Sequence, residues 1–259
     1  MTPETLSEEV KLVETAPPGP RGGDLVYRHR RSTRIWHWLN AVTIFVLLMS
    51  GMMIFNAHPR LYWGEYGANP DRAWLAIAGT RADPAFPGWA TIPTSYDLAG
   101  ARSWHFLFAW LLVVPGLLYW LWSFYNRHIQ RDLAPRREEL SPGHIWRDVK
   151  DHARLRFPAG PEALNYNILQ KTSYLGILFV LLPLAVLTGL TMSPAMDSAW
   201  PWLLDLFGGR QSARSLHFIA AVLIAAFILV HLVMVVLAGP FNEIRSMITG
   251  RYRLPEERP

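Results

Sequence analysis

The chain has no cysteine among its 259 residues. That absence excludes disulfides, iron–sulfur clusters, zinc–thiolate centres and covalently attached c-type haem, all of which need thiols. It leaves the redox compartment open, since a thiol-free chain suits either side of a membrane. The first 27 residues lack an apolar h-region and are acidic with scattered Pro and Gly. They read as a mobile cytoplasmic tail without a cleaved signal peptide. No internal repeat is visible. Charge is also scarce, at 17% of residues, and it is missing altogether from four long stretches.

Those stretches run from Ile35 up to Arg60, Ser103 to Asn126, Thr172 to Met196 and Ser215 to Asn242. Each supplies the roughly 20 apolar residues that a helix needs to cross about 30 Å of hydrocarbon. One such block could be a buried soluble helix; four in one chain indicate an all-α integral membrane protein, a bundle of four transmembrane helices. The expected helices are about 34–56, 103–125, 172–193 and 213–238. They are joined by an outer loop, 57–102, and an inner loop, 126–171, and a short tail, 253–259, follows. The mean hydropathy of only +0.13 averages these spans with arginine-rich connections.

Arg and Lys crowd the N-terminal flank, the middle loop and the C-terminal tail, while the other two connections carry few. The positive-inside rule therefore puts both termini and the middle loop in the cytoplasm, in a multi-pass protein of the bacterial inner membrane. The basic pI of about 9.7 follows from this asymmetry and needs no nucleic acid. Trp36, Trp38, Trp104, Trp120, Trp122, Trp200 and Trp202 fall near block ends, where amphipathic rings favour the headgroup zone. The outer loop (LYWGEYG, FPGWATIP) suits either packing on the bundle or docking a partner. Ile145, Trp146, Val149 and Ala153 recur at helical spacing in the inner loop, which predicts a short helix on the membrane surface.

Four histidines, His37, His105, His217 and His231, lie within the apolar blocks, where an ionisable side chain is costly and marks a site by default. His217 and His231 are 14 residues apart. At about 100° and 1.5 Å per residue they share a helix face and stand about 21 Å apart along the axis. With the orientation above, His37 is level with His231 and His105 with His217. Two cross-helix pairs at two depths are what two stacked haems need, each iron held by two neutral imidazoles. Zinc is a weaker rival, because no Cys, Asp or Glu lies in the hydrocarbon to complete four ligands. A proton relay lacks an intramembrane carboxylate to continue it. Gly51 and Gly116 lie near the His-bearing faces at the opposite levels, where a missing side chain makes room for a macrocycle; ordinary helix packing explains them equally. Arg34 at the inner pair, and Arg102 and Arg214 at the outer, are candidate partners for haem propionates, or simply flanking arginines.

The stretches RIWHWLNA, MSGMMIFNAHPRLYWG, RSWHFLFAW, NYNILQKTSY, LTGLTMSPAMD, GGRQSARSLHF and VHLVMVVLAGPFNEIRSMITG cover roughly residues 28 to 252. In them the chain resembles the di-haem b-type cytochrome subunits of bacterial respiratory complexes, those of nickel–iron hydrogenases and formate dehydrogenase N. It is most similar to thiosulfate reductase cytochrome b subunits. The resemblance implies two non-covalent haem b groups, held by His37 with His231 and by His105 with His217. It implies electron transfer between a membrane quinone near the cytoplasmic haem and a catalytic subunit on the periplasmic side. The long aromatic loop favours the branch whose relatives partner molybdopterin oxidoreductases over the hydrogenase or formate dehydrogenase type. The resemblance also points to a quinone pocket at Tyr166, Asn167, Gln170 and Lys171, whose alternative role is helix capping and interfacial anchoring. Two further readings stay open: a freestanding quinone-reactive oxidase with an outer electron donor such as superoxide, and a non-redox membrane anchor for a soluble enzyme.

Overall fold

The structure, a computed structural model, describes residues 19–77, 79 and 83–256; the sequence-based tail over 1–18 and the last three residues lie outside them. Strand β1, Leu25–Tyr27, leads into α1, Arg31–Asn56. The outer loop carries β2, Arg60–Leu61, and β3, Leu75–Ala76, before α2, Leu98–Tyr125. A π-turn at Ile129–Leu133 and helix α3, Pro142–Ala153, form the inner loop. The third span is composite: a 3-10 turn, Gly160–Leu164, then α4, Ile168–Gly176, a π-turn, Ile177–Leu181, and α5, Leu182–Thr191. Short helices α6, Pro194–Ala199, and α7, Pro201–Leu206, lead to α8, Arg210–Ala238. Helix α9, Pro240–Thr249, and strand β4, Arg251–Arg253, close the described chain.

Four helical segments, Arg31–Asn56, Leu98–Tyr125, Gly160–Thr191 and Arg210–Ala238, are long and apolar enough to cross a membrane. Their packing is inverted relative to a soluble protein. Thr43, Ser50, Ser123, Thr188, Thr191 and Ser215 are buried, while Trp110, Leu118, Leu121, Leu229 and Val230 point outward. Small side chains let helix backbones approach where no hydrophobic effect drives them together, and the large apolar ones meet lipid. Backbone approach between spans is closest for α1 against α2 and for α5 against α8, so the bundle is two hairpins laid side by side. The π-turn in the third span immediately precedes Pro183, whose ring nitrogen cannot donate to the carbonyl four residues back.

All four spanning helices begin earlier than the charge-free blocks suggest, α1 at Arg31. Helix α2 starts at Leu98 because the Asp97 carboxylate caps it, accepting from the Gly100 amide at 2.9 Å. The regular helix of the third span starts at Ile168, not 172, and takes Lys171 with it: the ammonium is paired with Glu139 at 2.7 Å and so tolerates burial. Helix α8 starts at Arg210, after Gly209 at a φ of 101°.

Strands reach into both expected tails, at Leu25–Tyr27 and Arg251–Arg253, so the architecture is not wholly helical. Strands β1 and β4 pair antiparallel, with Val26 opposite Tyr252, and β2 pairs with β3. Val26, Tyr252 and Leu254 pack with Ala163 and Leu164 in a small apolar cluster. Burying those side chains orders residues 25–27 and 251–254, which a Pro/Gly-bearing, charged flank disguises. The ribbon also puts the chain's entry to α1 and its exit from α9 on one side of the bundle, called here the termini side.

Candidate functional site

The four intramembrane histidines meet in pairs. His37, on the second turn of α1, and His231, near the end of α8, have ring centroids 6.3 Å apart on the termini side. His105 of α2 and His217 of α8 are 6.1 Å apart at the opposite end. A metal bonded at about 2 Å to one nitrogen of each ring needs ring centres about 6 Å apart, because each centre lies about 1 Å behind its nitrogen. Both pairs meet that requirement. Among the described residues no group of three or more His, Asp, Glu or Cys is placed to hold a metal ion. A bare-ion site of the zinc type therefore has no ligand set, whereas a macrocycle that brings its own four nitrogens needs only the two imidazoles.

The far sides of the outer rings are already spoken for. Nδ1 of His217 donates to the Ala185 carbonyl at 2.9 Å, with the Thr188 hydroxyl at 3.2 Å. Nδ1 of His105 lies 3.0 Å from Ser50 Oγ. Proton on Nδ1, lone pair on Nε2: that tautomer suits each ring to face a metal with Nε2. At the inner pair, His37 Nδ1 and Asn40 Oδ1 are buried and without a partner, as is Arg34 Nε. His231 stacks on Phe227 at 6.0 Å.

Two glycines keep the outer imidazoles clear. A Cβ at Gly51 would stand 3.5 Å from Cε1 of His105, and one at Gly189 would stand 3.4 Å from Cε1 of His217. Gly51 thus lies at the outer level, as its spacing from His37 implies. Gly116 instead faces Trp36, whose Cη2 would be 3.1 Å from an added Cβ, and lines an apolar crevice of about 100 Å³ with Leu112, Trp120 and Leu182.

The arginines are unequal. Arg34 donates from Nη1 to the Ile248 carbonyl at 2.9 Å and keeps Nε unpaired. Arg214 is held by the outer loop, donating to the carbonyls of Arg60, at 2.9 Å, and His58. Arg102 is exposed, with its guanidinium 5.7 Å from the Phe106 ring.

Of the four residues at the start of the third span, Asn167 and Gln170 form a capping box, each side chain bonding the other's backbone amide. Asn167 Nδ2 also lies 3.3 Å from His152 Nδ1. Lys171 holds Glu139; burial, the largest single influence, would raise that carboxyl, but the Lys171 hydrogen bond and charge together with the Arg136 amide and guanidinium outweigh it and hold it below the ordinary carboxylate range. Tyr166 lies beneath the Arg28 guanidinium, which stands 6.0 Å from the ring centroid. Its ring meets Tyr174 edge-on at 5.5 Å, Tyr174 meets Phe227 at 6.2 Å, and Phe227 leads to His231.

Ser50, Thr188, Ala185, Gly189, Tyr174 and Phe227 complete the surroundings of the histidines, and sequence reasoning passes over all six. Phe227 lies four residues before His231 and so shares its face, a signal that was available, whereas Ser50, 13 residues after His37, is turned about 140° away from it. Nothing of that kind marks Ala185, which contributes only a carbonyl.

The outer loop is packed down. Asn56 exchanges two hydrogen bonds with the Phe86 backbone, at 2.9 and 2.8 Å. Trp74 Nε1 donates to Ser215 Oγ at 2.9 Å, two residues from His217. Tyr66 and Trp89 remain exposed.

Four spans with imidazoles facing one another in two pairs, at opposite ends, make a membrane bundle of the kind that places cofactor ligands on facing helices. A family model described as prokaryotic cytochrome b561 matches residues 28–250. The chain is 30% identical over 217 residues to a protein of Azospira oryzae that carries the name protein-methionine-sulfoxide reductase subunit YedZ1, covering 84% of this chain and 93% of that one. It is 22% identical over 237 residues to a protein of Cupriavidus necator named as a Ni/Fe-hydrogenase B-type cytochrome subunit, covering 86% and 85%. A third relative, the cytochrome YdhU of Escherichia coli, is 23% identical over 237 residues, covering 89% and 76%. No solved structure matches at a significant level. The chain belongs to the prokaryotic cytochrome b561 family: it is a multi-pass bacterial membrane cytochrome of b type, and membership implies haem b and a part in electron transport.

Proposed function

We propose that this chain is a di-haem membrane subunit that carries electrons between the quinone/quinol pool and a periplasmic oxidoreductase. The observation that carries the reading is the two histidine pairs, 6.3 and 6.1 Å between ring centres, at opposite ends of the bundle. His37 with His231, and His105 with His217, hold two haem b groups, which supply one-electron redox chemistry at two depths of the bilayer. The protein's own residues do the rest. Ser50, Thr188 and Ala185 fix the outer ring tautomers, and Gly51 and Gly189 keep space beside the imidazoles. Arg34, with its buried unpaired Nε, offers positive charge to a propionate on the termini side. Arg214 and Arg102 supply positive charge near the outer pair, Arg214 after exchanging its loop carbonyls.

The termini side faces the cytoplasm in this reading, supported by the arginine-rich flanks, middle loop and tail. Quinone is placed beside Tyr166 and Tyr174, whose rings lead to the His231 pair, with Asn167, Gln170 and Lys171 as the framework that holds the first turn of α4. The partner is a periplasmic catalytic subunit, of the molybdopterin class in preference to the hydrogenase class. The names of the relatives, a reductase subunit and hydrogenase cytochrome subunits, support a catalytic partner.

Purified chain is expected to hold two haem b per polypeptide, with His231→Ala and His105→Ala each retaining one. Two haems retained in either variant would overturn the ligation. Isolated chain whose haem quinol still reduces, but which turns over an acceptor only when the co-purifying subunit is added back, separates this reading from a freestanding oxidase, which turns over alone.

A further inference from the structure

Helix α9 is amphipathic in a sense opposite to that of a soluble surface helix. Its polar face turns into the protein. Asn242 exchanges hydrogen bonds with the Arg253 backbone, at 2.8 and 3.0 Å. Glu243 pairs with Arg28 at 3.3 Å, and Ser246 is fully buried. The apolar residues Phe241, Ile244 and Ile248, spaced along one stripe, are 90%, 44% and 62% exposed. Gly239 alone separates α9 from the transmembrane helix α8, whose last turns present Val233, Val236 and Leu237 outward to lipid. The stripe therefore begins at the membrane boundary and is continuous with the lipid-facing surface. Directly after it come Arg251 and Arg253, both exposed on β4, and the antiparallel strand β1 leads to exposed Arg30 and Arg31.

We propose that the Phe241–Ile244–Ile248 face, with the four arginines beside it, is a binding surface for an anionic phospholipid leaflet on the termini side. The apolar stripe sits at the headgroup–acyl boundary and the guanidinium groups meet the phosphates. The seat has a structural consequence for the inner histidine pair. The carbonyls of Met247 and Ile248 accept from Trp38 Nε1 at 3.1 Å and from Arg34 Nη1 at 2.9 Å, and these two side chains flank His37. A lipid-seated α9 thus braces the first turns of α1.

The cysteine-free chain makes the test direct. Single variants F241C, I244C and I248C, with E138C on the exposed inner loop as control, are spin-labelled and placed in discs of phosphatidylcholine with or without phosphatidylglycerol. The ratio of collisions with lipid-soluble oxygen to those with a water-soluble chelate is expected to be at least about threefold higher at 241, 244 and 248 than at 138. The double variant R251Q/R253Q is expected to retain about 25-fold less phosphatidylglycerol relative to phosphatidylcholine on detergent dilution, since each basic residue near a charged leaflet changes binding about fivefold. Three positions and unchanged helical circular dichroism guard against misfolding of one variant. Free access of the chelate to the stripe would overturn the proposal, as would shielding from both probes, the signature of a protein covering this face. Equal phosphatidylglycerol retention by parent and double variant would also overturn it.

Discussion

The hydroxyl oxygen of Ser50 lies 3.0 Å from Nδ1 of His105 while its own hydrogen goes to the Val46 carbonyl at 2.7 Å. Thr188 repeats the arrangement at the other ring, donating to Leu184 at 2.6 Å with its oxygen 3.2 Å from His217 Nδ1. A hydroxyl whose proton is committed to its own helix can only accept from the imidazole. It fixes Nδ1 as the donor and makes the opposite nitrogen a better ligand.

Ser50→Ala is therefore expected to weaken outer haem retention by about tenfold or more, the usual cost of losing such an outer partner. The outer haem should also become easier to reduce, because an imidazole without its acceptor donates less charge. Haem titration of depleted protein and a potentiometric titration read both effects; an unchanged affinity would show that Ser50 is mere packing.

Gly189 and the ring of His217 make a second test. Alanine adds one carbon at 3.4 Å from Cε1, ordinary contact, whereas valine puts two further methyls beside the ring. Gly189→Ala is expected to keep two haems per chain and Gly189→Val only one, measured as haem per polypeptide. Gly51→Val is expected to do the same through His105.

The Lys171–Glu139 pair is buried at the inner end, with side chains 7% and 18% exposed. Lys171→Met strands a carboxylate and is expected to cost about 3 kcal/mol or more, while the double variant with Glu139→Leu recovers most of it. Thermal unfolding in detergent checks the pair. If the single variant melts with the parent, the pair contributes nothing.

His29 supplies a pH test outside the spans. Burial, with Arg28 beside it, pushes its pKa from 6.5 down to about 4. The folded state thus binds this proton less readily than the unfolded one. Its stability contribution is complete above about pH 6.5 and is lost as pH falls toward 4. His29→Gln is expected to flatten the fall in melting temperature across that window.

Much of the bundle is legible in the sequence alone. Length and absence of charge select four membrane spans, because a backbone in hydrocarbon must satisfy its own hydrogen bonds and only a helix of that length does so alone. The pairing of His37 with His231 and of His105 with His217 followed from spacing on one helix and alternating chain direction. Both are one-dimensional quantities. Helix starts were less legible: α4 begins before the charge-free block because Lys171 finds Glu139, 32 residues away along the chain.

What the linear order could not hold is the rotation of each helix against its neighbours. That rotation brings the Ala185 carbonyl to His217, puts Gly116 against Trp36, and hands Arg214 to the outer loop. It also turns the polar face of α9 inward, where a helical pattern alone shows two faces and not which one meets protein. Composition along the chain dictates where each segment must lie relative to water and lipid. Which atoms then satisfy a buried donor depends on packing in three dimensions, and only the folded bundle chooses among the partners that composition allows.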